Sequence, residues 1–364
     1  IGSLEMPRSE WLFSSVATFQ QSYGQVHPYL AAVLCIVGTL MNAITVLVLT
    51  RPSMRSPVNV LLSAVAVCDI VVMSSYLVFV VHFLLTAASR CEPSDFSYGW
   101  ALFMIFHAHA SVIFHAASIW MTVSLAQIRV LTIRRATAAS SPLVTERFTV
   151  LLAVLMLCAM TLVNLPNFLT FEVVASARSI KTQSFDNRRS IAGSINKTIF
   201  TDNGSALLQL AFWSNGMIFK VIPCLLLTLS IWALLRIIAD VAHKRRNLAQ
   251  VMRKKVVPKV MRKKVVPKDH TTPMLAAVLL IFLAAVLLIF LLAELPQGLF
   301  LVLNGIFSAE SFHKRVYLPL GDLMDLLSLL NSAVGFFIYV GMSRKFRTVF
   351  LQLLFSVLRQ TILS

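Results

Sequence analysis

Lys220 and Glu294 carry opposite charges inside two long apolar runs, 207–235 and 271–304. A charge in the hydrocarbon of a bilayer is costly, so it is neutralised by a partner or kept for a function. Lys220 stands three residues before Pro223, and Glu294 two before Pro296, so the two are expected to face each other as a buried ion pair. Such a pair either holds a resting state and opens as a switch, or is purely structural. Exchanging the two charges is expected to restore expression lost in each single variant. Asp322 and Asp325 lie one turn apart in the outer half of another run, 316–341, where a carboxylate suits a cationic group. A solvated face is the alternative for Asp322. His107, His109, Trp100, Phe212 and Trp213 fall near the same ends of their runs and are candidate ligand contacts, with packing as the other reading for each histidine. Asp69 interrupts the run 58–81, and Asn42, Asn331 and Ser332 are polar residues of other runs that could join it. No glycine-rich phosphate loop, nucleophile elbow or metal-ligand spacing occurs, so neither an enzyme nor a cofactor is expected.

The elements that must position these groups follow from composition. The chain is 58% hydrophobic and 13% charged, with mean hydropathy +0.81; a soluble domain carries roughly 25% charged residues. Crossing a bilayer takes about 20 apolar residues in a helix. Seven stretches qualify: 29–50, 58–81, 98–128, 148–171, 207–235, 271–304 and 316–341. After the last, Arg344, Lys345 and Arg347 alternate with Phe346, Phe350 and Leu351, which predicts an amphipathic helix on the membrane surface. The expected fold class is therefore all-α: a seven-transmembrane helix bundle at 28–342, an amino-terminal segment 1–27 outside, and an amphipathic tail 343–364 inside. Residues 1–27 carry Glu5, Arg8 and Glu10 without a signal-peptide pattern, so the first span is expected to act as its own anchor.

A net charge of +17 invites a nucleic-acid reading, but its placement argues for a membrane. Between Arg236 and Asp269 stand twelve Lys/Arg against two acids, in one connection of about 236–270. Arg51, Arg55, Arg134, Arg135 and Arg147 fall in connections on the same side, so that side is cytoplasmic and faces anionic lipid and acidic partners. The amino end is then outside and the carboxyl end inside. Two glycosylation sequons, at Asn196 and Asn203, fall in a connection on the expected outer side. Two tandem repeats stand apart: 251–259 recurs as 260–268, and 276–283 as 284–291. The second lengthens its helix by roughly 12 Å and rotates the part beyond it by about 80°. Both read as errors of record or recent duplications, which the transcript sequence would decide.

Taken in order, GTLMNAITVLVL, MRSPVNVLLSAVAVCD, FHAHASVIFHAASIWMTVSL, TVSLAQIRVLTI, FWSNGMIFKVIPCLLLTLS and LLAELPQGLFLVL resemble segments of rhodopsin-like G-protein-coupled receptors. Within them the likeness is to invertebrate myosuppressin and FMRFamide-like peptide receptors, a group overlapping the nematode serpentine Srw type, and it spans nearly all of 28–350. The resemblance implies a plasma-membrane receptor for an extracellular amidated peptide, signalling through a heterotrimeric G protein. It implies a sodium pocket around Asn42, Asp69, Asn331 and Ser332, G-protein contact through Arg129, and Glu294 in the place of the family's helix 6 switch. Asp322 or Asp325 would take the guanidinium of a peptide ending in Arg-Phe-amide. The sequence departs from the family at Ile128 and Val130, which flank Arg129, and in Gly335–Tyr339, where Tyr339 alone keeps the usual motif. It also has no Cys between 172 and 205 to pair with Cys91. A chemosensory receptor for small molecules and a weakly coupling relic stay open. A transporter would need bundle-sized repeats, which are absent.

Overall fold

The computed structural model describes residues 10–90, 92–136, 144–168, 204–256, 271–307 and 309–363. Seven helices among them are long and apolar enough to cross a membrane. They are α1 (Glu10–Leu49), α2 (Pro57–Arg90), α3 (Tyr98–Ala136), α4 (Glu146–Val163), α5 (Gly204–Trp213 continuing through Ile222–Val256), α6 (Thr271–Ile306) and α7 (Ala309–Tyr317 continuing through Leu318–Met342). An eighth, α8, runs Arg344–Leu363. The described elements are all helical.

Local chemistry sets several boundaries. Ser56 caps α2 by accepting from the Asn59 amide at 3.2 Å, with Pro57 at the first helical position, where its missing N–H costs nothing. Thr145 caps α4 by accepting from the Phe148 amide at 3.2 Å, with Glu146 in the positive first turn. Arg347 donates to the Val340 carbonyl at 2.8 Å, satisfying an end of α7 and fixing the turn into α8.

α1 is longer than the apolar pattern predicts. It begins at Glu10 and passes through the expected boundary at 27. The segment 10–27 is too polar to read as a span, yet Arg315 of α7 sits 5.2 Å over the Phe13 ring, and Val16 and His27 are buried. Tertiary packing, which hydropathy does not register, extends the helix.

Three apolar clusters hold the bundle. One joins α1, α2, α3, α7 and α8 through Leu61, Met121, Phe336 and Phe346. The second joins α3, α5 and α6 through Ile119, Val123, Leu227, Ile231 and Phe290. The third joins α1, α2 and α7 through Ala31, Cys35, Met73 and Leu329. Large apolar side chains such as Leu155, Leu229, Trp232 and Phe337 are exposed on the outside, as a lipid-facing surface requires. Phe290 belongs to the second copy of the apolar repeat. The basic repeat falls largely outside the described residues.

Two departures from plain α-helix matter for the site. Ser214–Val221 of α5 is π-helical, a wide turn of the kind found at functional positions. Its loosened Ile218 carbonyl accepts from the Trp120 indole at 3.0 Å. Gly216 on that segment meets Gly298 on α6 so closely that a Cβ on Gly298 would lie 2.7 Å from the Lys220 Cβ. Small residues let helices touch in a membrane, where dispersion and hydrogen bonds replace hydrophobic burial as the driving force.

Candidate functional site

The Gly216–Gly298 contact sits one turn from the ionisable pair: Lys220 follows Gly216 by four residues, and Glu294 precedes Gly298 by four. The Lys220 ammonium donates to Glu294 Oε2, with the side chains 8% and 0% exposed. Glu294 has two further partners. His115 of α3 places Nε2 at 3.1 Å and 3.2 Å from its two oxygens, and Asn331 of α7 donates to Oε1 at 2.8 Å. One carboxylate thus gathers α3, α5, α6 and α7. Next to it, Ser328 of α7 donates to Gln297 of α6 at 2.8 Å. Sequence reasoning found Lys220 and Glu294 but assigned no role to His115. The signal was available: His115 is one helical turn from Ser118, and both lie on the polar face of α3. Pro296 is half-buried in α6, and its lack of an N–H leaves the Leu292 carbonyl without its helical donor.

Below this centre lies Asp69, buried, accepting from the Ser118 hydroxyl at 2.9 Å. Asn42 donates to the Ser332 carbonyl at 3.0 Å and to the Gly38 carbonyl at 3.0 Å. The structure therefore brings Asn42 and Ser332 together, and sends Asn331 to Glu294 rather than to Asp69. Among the described residues no cation pairs with Asp69, and no group of three metal-ligating side chains occurs. Arg129 is half-buried near the end of α3 within electrostatic range of Tyr339, whose ring packs 6.0 Å from Phe346.

At the other end of the bundle, Asp325 accepts from the Tyr76 hydroxyl at 3.2 Å, and Asp322 lies 3.8 Å from where a Gly24 Cβ would be. His107 is buried beside Tyr76, its Nδ1 3.2 Å from the Ser75 hydroxyl and its ring stacked on Phe79. The remaining ligand candidates disperse. His109 turns to α4, where Asn164 donates to it at 3.4 Å and Phe168 stacks on its ring. Asn167 extends that cluster by donating to Asn215 of α5 at 3.0 Å. Trp100 stacks on His82 with ring centroids 3.3 Å apart, beside a cavity of about 310 Å³ lined by Val78 and Val81. Trp213 lies against Gly305, 40% exposed, between α5 and α6. Phe212 packs on His313 at the start of α7. The sequons at Asn196 and Asn203, and Cys91, lie outside the described residues.

Seven apolar helices and a buried polar centre tying four of them describe a membrane-spanning helix bundle. Comparisons with known proteins agree. The profile described as serpentine type 7TM GPCR chemoreceptor Srw matches residues 29–357. The chain is 33% identical over 375 residues to the G-protein coupled receptor dmsr-1 of Caenorhabditis elegans, covering 95% of this chain and 71% of that one. It is 22% identical over 330 residues to an FMRFamide receptor of Drosophila melanogaster, 88% of this chain and about half, 52%, of the other. Similarity to sex peptide receptor-related protein 2 of C. elegans is 23% over 338 residues, 90% and 70% of the two chains. A match along nearly the whole length makes this multi-pass membrane protein a receptor and not an enzyme: the chain belongs to the serpentine Srw family of seven-transmembrane G-protein-coupled receptors.

Proposed function

We propose that this receptor sits in the plasma membrane with its amino end outside and binds an extracellular amidated peptide of the FMRFamide or myosuppressin type. The observation that carries the reading is a paired carboxylate, Asp322 and Asp325, on α7 at the bundle end expected to face outward, in a relative of receptors one of which is named for FMRFamide. Either carboxylate would pair with the arginine of such a peptide, since a guanidinium offers two parallel N–H donors to a carboxylate. His107 and Phe212 would line the same space, with Trp100, Trp213 and His109 acting through helix packing. Inside, Arg129 and the basic connection after α5 would meet the heterotrimeric G protein. Agonist binding would shift a two-state equilibrium in which the Lys220–Glu294 centre holds the resting packing and Asp69, with Asn42 near it, accommodates a sodium ion.

The test is a dose–response screen of amidated peptides on cells expressing the receptor with a promiscuous G protein. A sub-micromolar response to Arg-Phe-amide peptides, reduced by Asp322→Asn or Asp325→Asn, supports the reading. Silence from receptor present at the cell surface overturns it. The family's description as chemoreceptors favours one second reading, a receptor for small molecules, which a panel of non-peptide odorants would reveal.

A further inference from the structure

Asp325 is the end of a hydrogen-bonded chain that begins on the polar extension of α1. The Tyr23 hydroxyl lies 3.2 Å from His27 Nδ1, His27 Nε2 lies 3.2 Å from the Tyr76 hydroxyl, and Tyr76 donates to Asp325 Oδ2 at 3.2 Å. With a neutral imidazole and an ionised carboxylate, these distances admit one arrangement. Tyr76 gives its only proton to the carboxylate, so its oxygen must accept, and the proton comes from His27 Nε2. His27 Nδ1 is then bare and accepts from Tyr23. Every donor points the same way, from α1 through α2 to α7. His27 is 1% exposed and Tyr76 7%, so water does not substitute for these partners. Tyr76 is held in place by Phe79 and His107, with ring centroids at 5.7 Å and 5.6 Å.

We propose that Tyr76, supported by His27 and Tyr23, is a specificity-determining residue that shares the Asp325 carboxylate with the ligand's cationic group, and that the extension of α1 is a wall of the ligand site. The proposal rests on Asp325 being the anchor for that group. A guanidinium binds a carboxylate best through both oxygens, and Tyr76 already occupies Oδ2. Each carboxylate oxygen can accept two hydrogen bonds, so a guanidinium either shares Oδ2 with the tyrosine, weakening both bonds, or displaces it. Displacement strips the Tyr76 proton of its acceptor and loosens α1, so occupancy of the site is transmitted to the first helix. The bonds upstream strengthen the tyrosine's hold, because a hydroxyl that accepts a hydrogen bond is a better donor. The shared carboxylate raises the threshold for weak cationic ligands and selects those that bring further contacts.

The experiment uses the full receptor in cells, normalised for surface expression, with two probes: Phe-Met-Arg-Phe-amide and the same peptide with citrulline, uncharged but similar in shape, replacing arginine. Tyr76→Phe keeps the ring and removes the competing hydroxyl. Potency for the arginine peptide should rise roughly tenfold, the worth of one hydrogen bond to a charged group, with little change for the citrulline peptide. His27→Ala should act in the same direction but less, and add nothing to Tyr76→Phe. If Asp325→Asn costs potency while Tyr76→Phe does not raise it, or lowers it equally for both peptides, the shared-carboxylate proposal is overturned and the anchor stands. If Asp325→Asn changes nothing, or neither peptide activates surface receptor, anchor and proposal fall together.

Discussion

Glu294→Gln and Lys220→Met should not cost the same, although they break one ion pair. Removing one partner of a buried pair typically costs about 3–5 kcal/mol, because the other charge is left without compensation. That full cost applies to Glu294→Gln, which leaves the Lys220 ammonium buried with no carboxylate beside it among the described residues. In Lys220→Met the carboxylate keeps His115, in contact with both oxygens, and the Asn331 amide at 2.8 Å. Those remaining partners should hold the cost to about 1–2 kcal/mol. The double variant replaces the pair by neutral groups of similar size and should be more stable than Glu294→Gln alone. The measurement is the thermal midpoint of detergent-solubilised receptor, wild type, both single variants and the double, alongside basal signalling in cells. The expected order of midpoints is wild type, Lys220→Met, double, Glu294→Gln, with basal signalling raised in the double. Equal losses in the two single variants, or a double variant lower than both, would refute the assignment of His115 as second partner. The same contact changes the outlook for exchanging the two charges. Lys220→Glu with Glu294→Lys puts an ammonium opposite the His115 and Asn331 donors, so recovery should be partial.

Three further outcomes are expected from the packing. Gly298→Ala places a methyl 2.7 Å from the Lys220 Cβ and should lower the midpoint by an amount equivalent to about 1–3 kcal/mol, whereas Gly321→Ala, with nothing described within 4 Å, should be neutral or slightly stabilising. Asn164→Ala removes the link to His109 and part of the Asn167 cluster, and should cost roughly 1 kcal/mol in detergent stability without altering G-protein selectivity. Arg129→Ala should abolish G-protein activation while radiolabelled peptide still binds, since Arg129 lies at the opposite end of the bundle from Asp325.

The bundle was legible because twenty apolar residues have one stable fate in a bilayer, and the breaks between runs are charged. Lys220 and Glu294 were legible because opposite charges in lipid need each other. His115 was missed because α3 carries three histidines and only its register with Ser118, one turn away, sets it apart, while its partner lies 179 residues away on α6. The extension of α1 was hidden for a related reason. Tyr23 and His27 are too polar to count toward a span, and contacts across the bundle, His27 with Tyr76 of α2 and Phe13 with Arg315 of α7, hold this segment against its neighbours. Trp100, Trp213 and His109 show the converse: spacing places a residue along its helix, while its direction depends on neighbouring helices.

The glycine contact between α5 and α6 also has a mechanical side. Where two backbones touch, neither can slide far without collision, so Gly216 and Gly298 form a fulcrum. From there α6 extends to Thr271, an arm of roughly 40 Å at 1.5 Å per residue. A tilt of about 10° at the fulcrum would swing the far end by roughly 7 Å, and the eight duplicated residues, about 12 Å of arm, supply about 2 Å of that travel. If the transcript carries both copies, the repeat adds reach at the basic end of the helix and leaves the glycine contact in place.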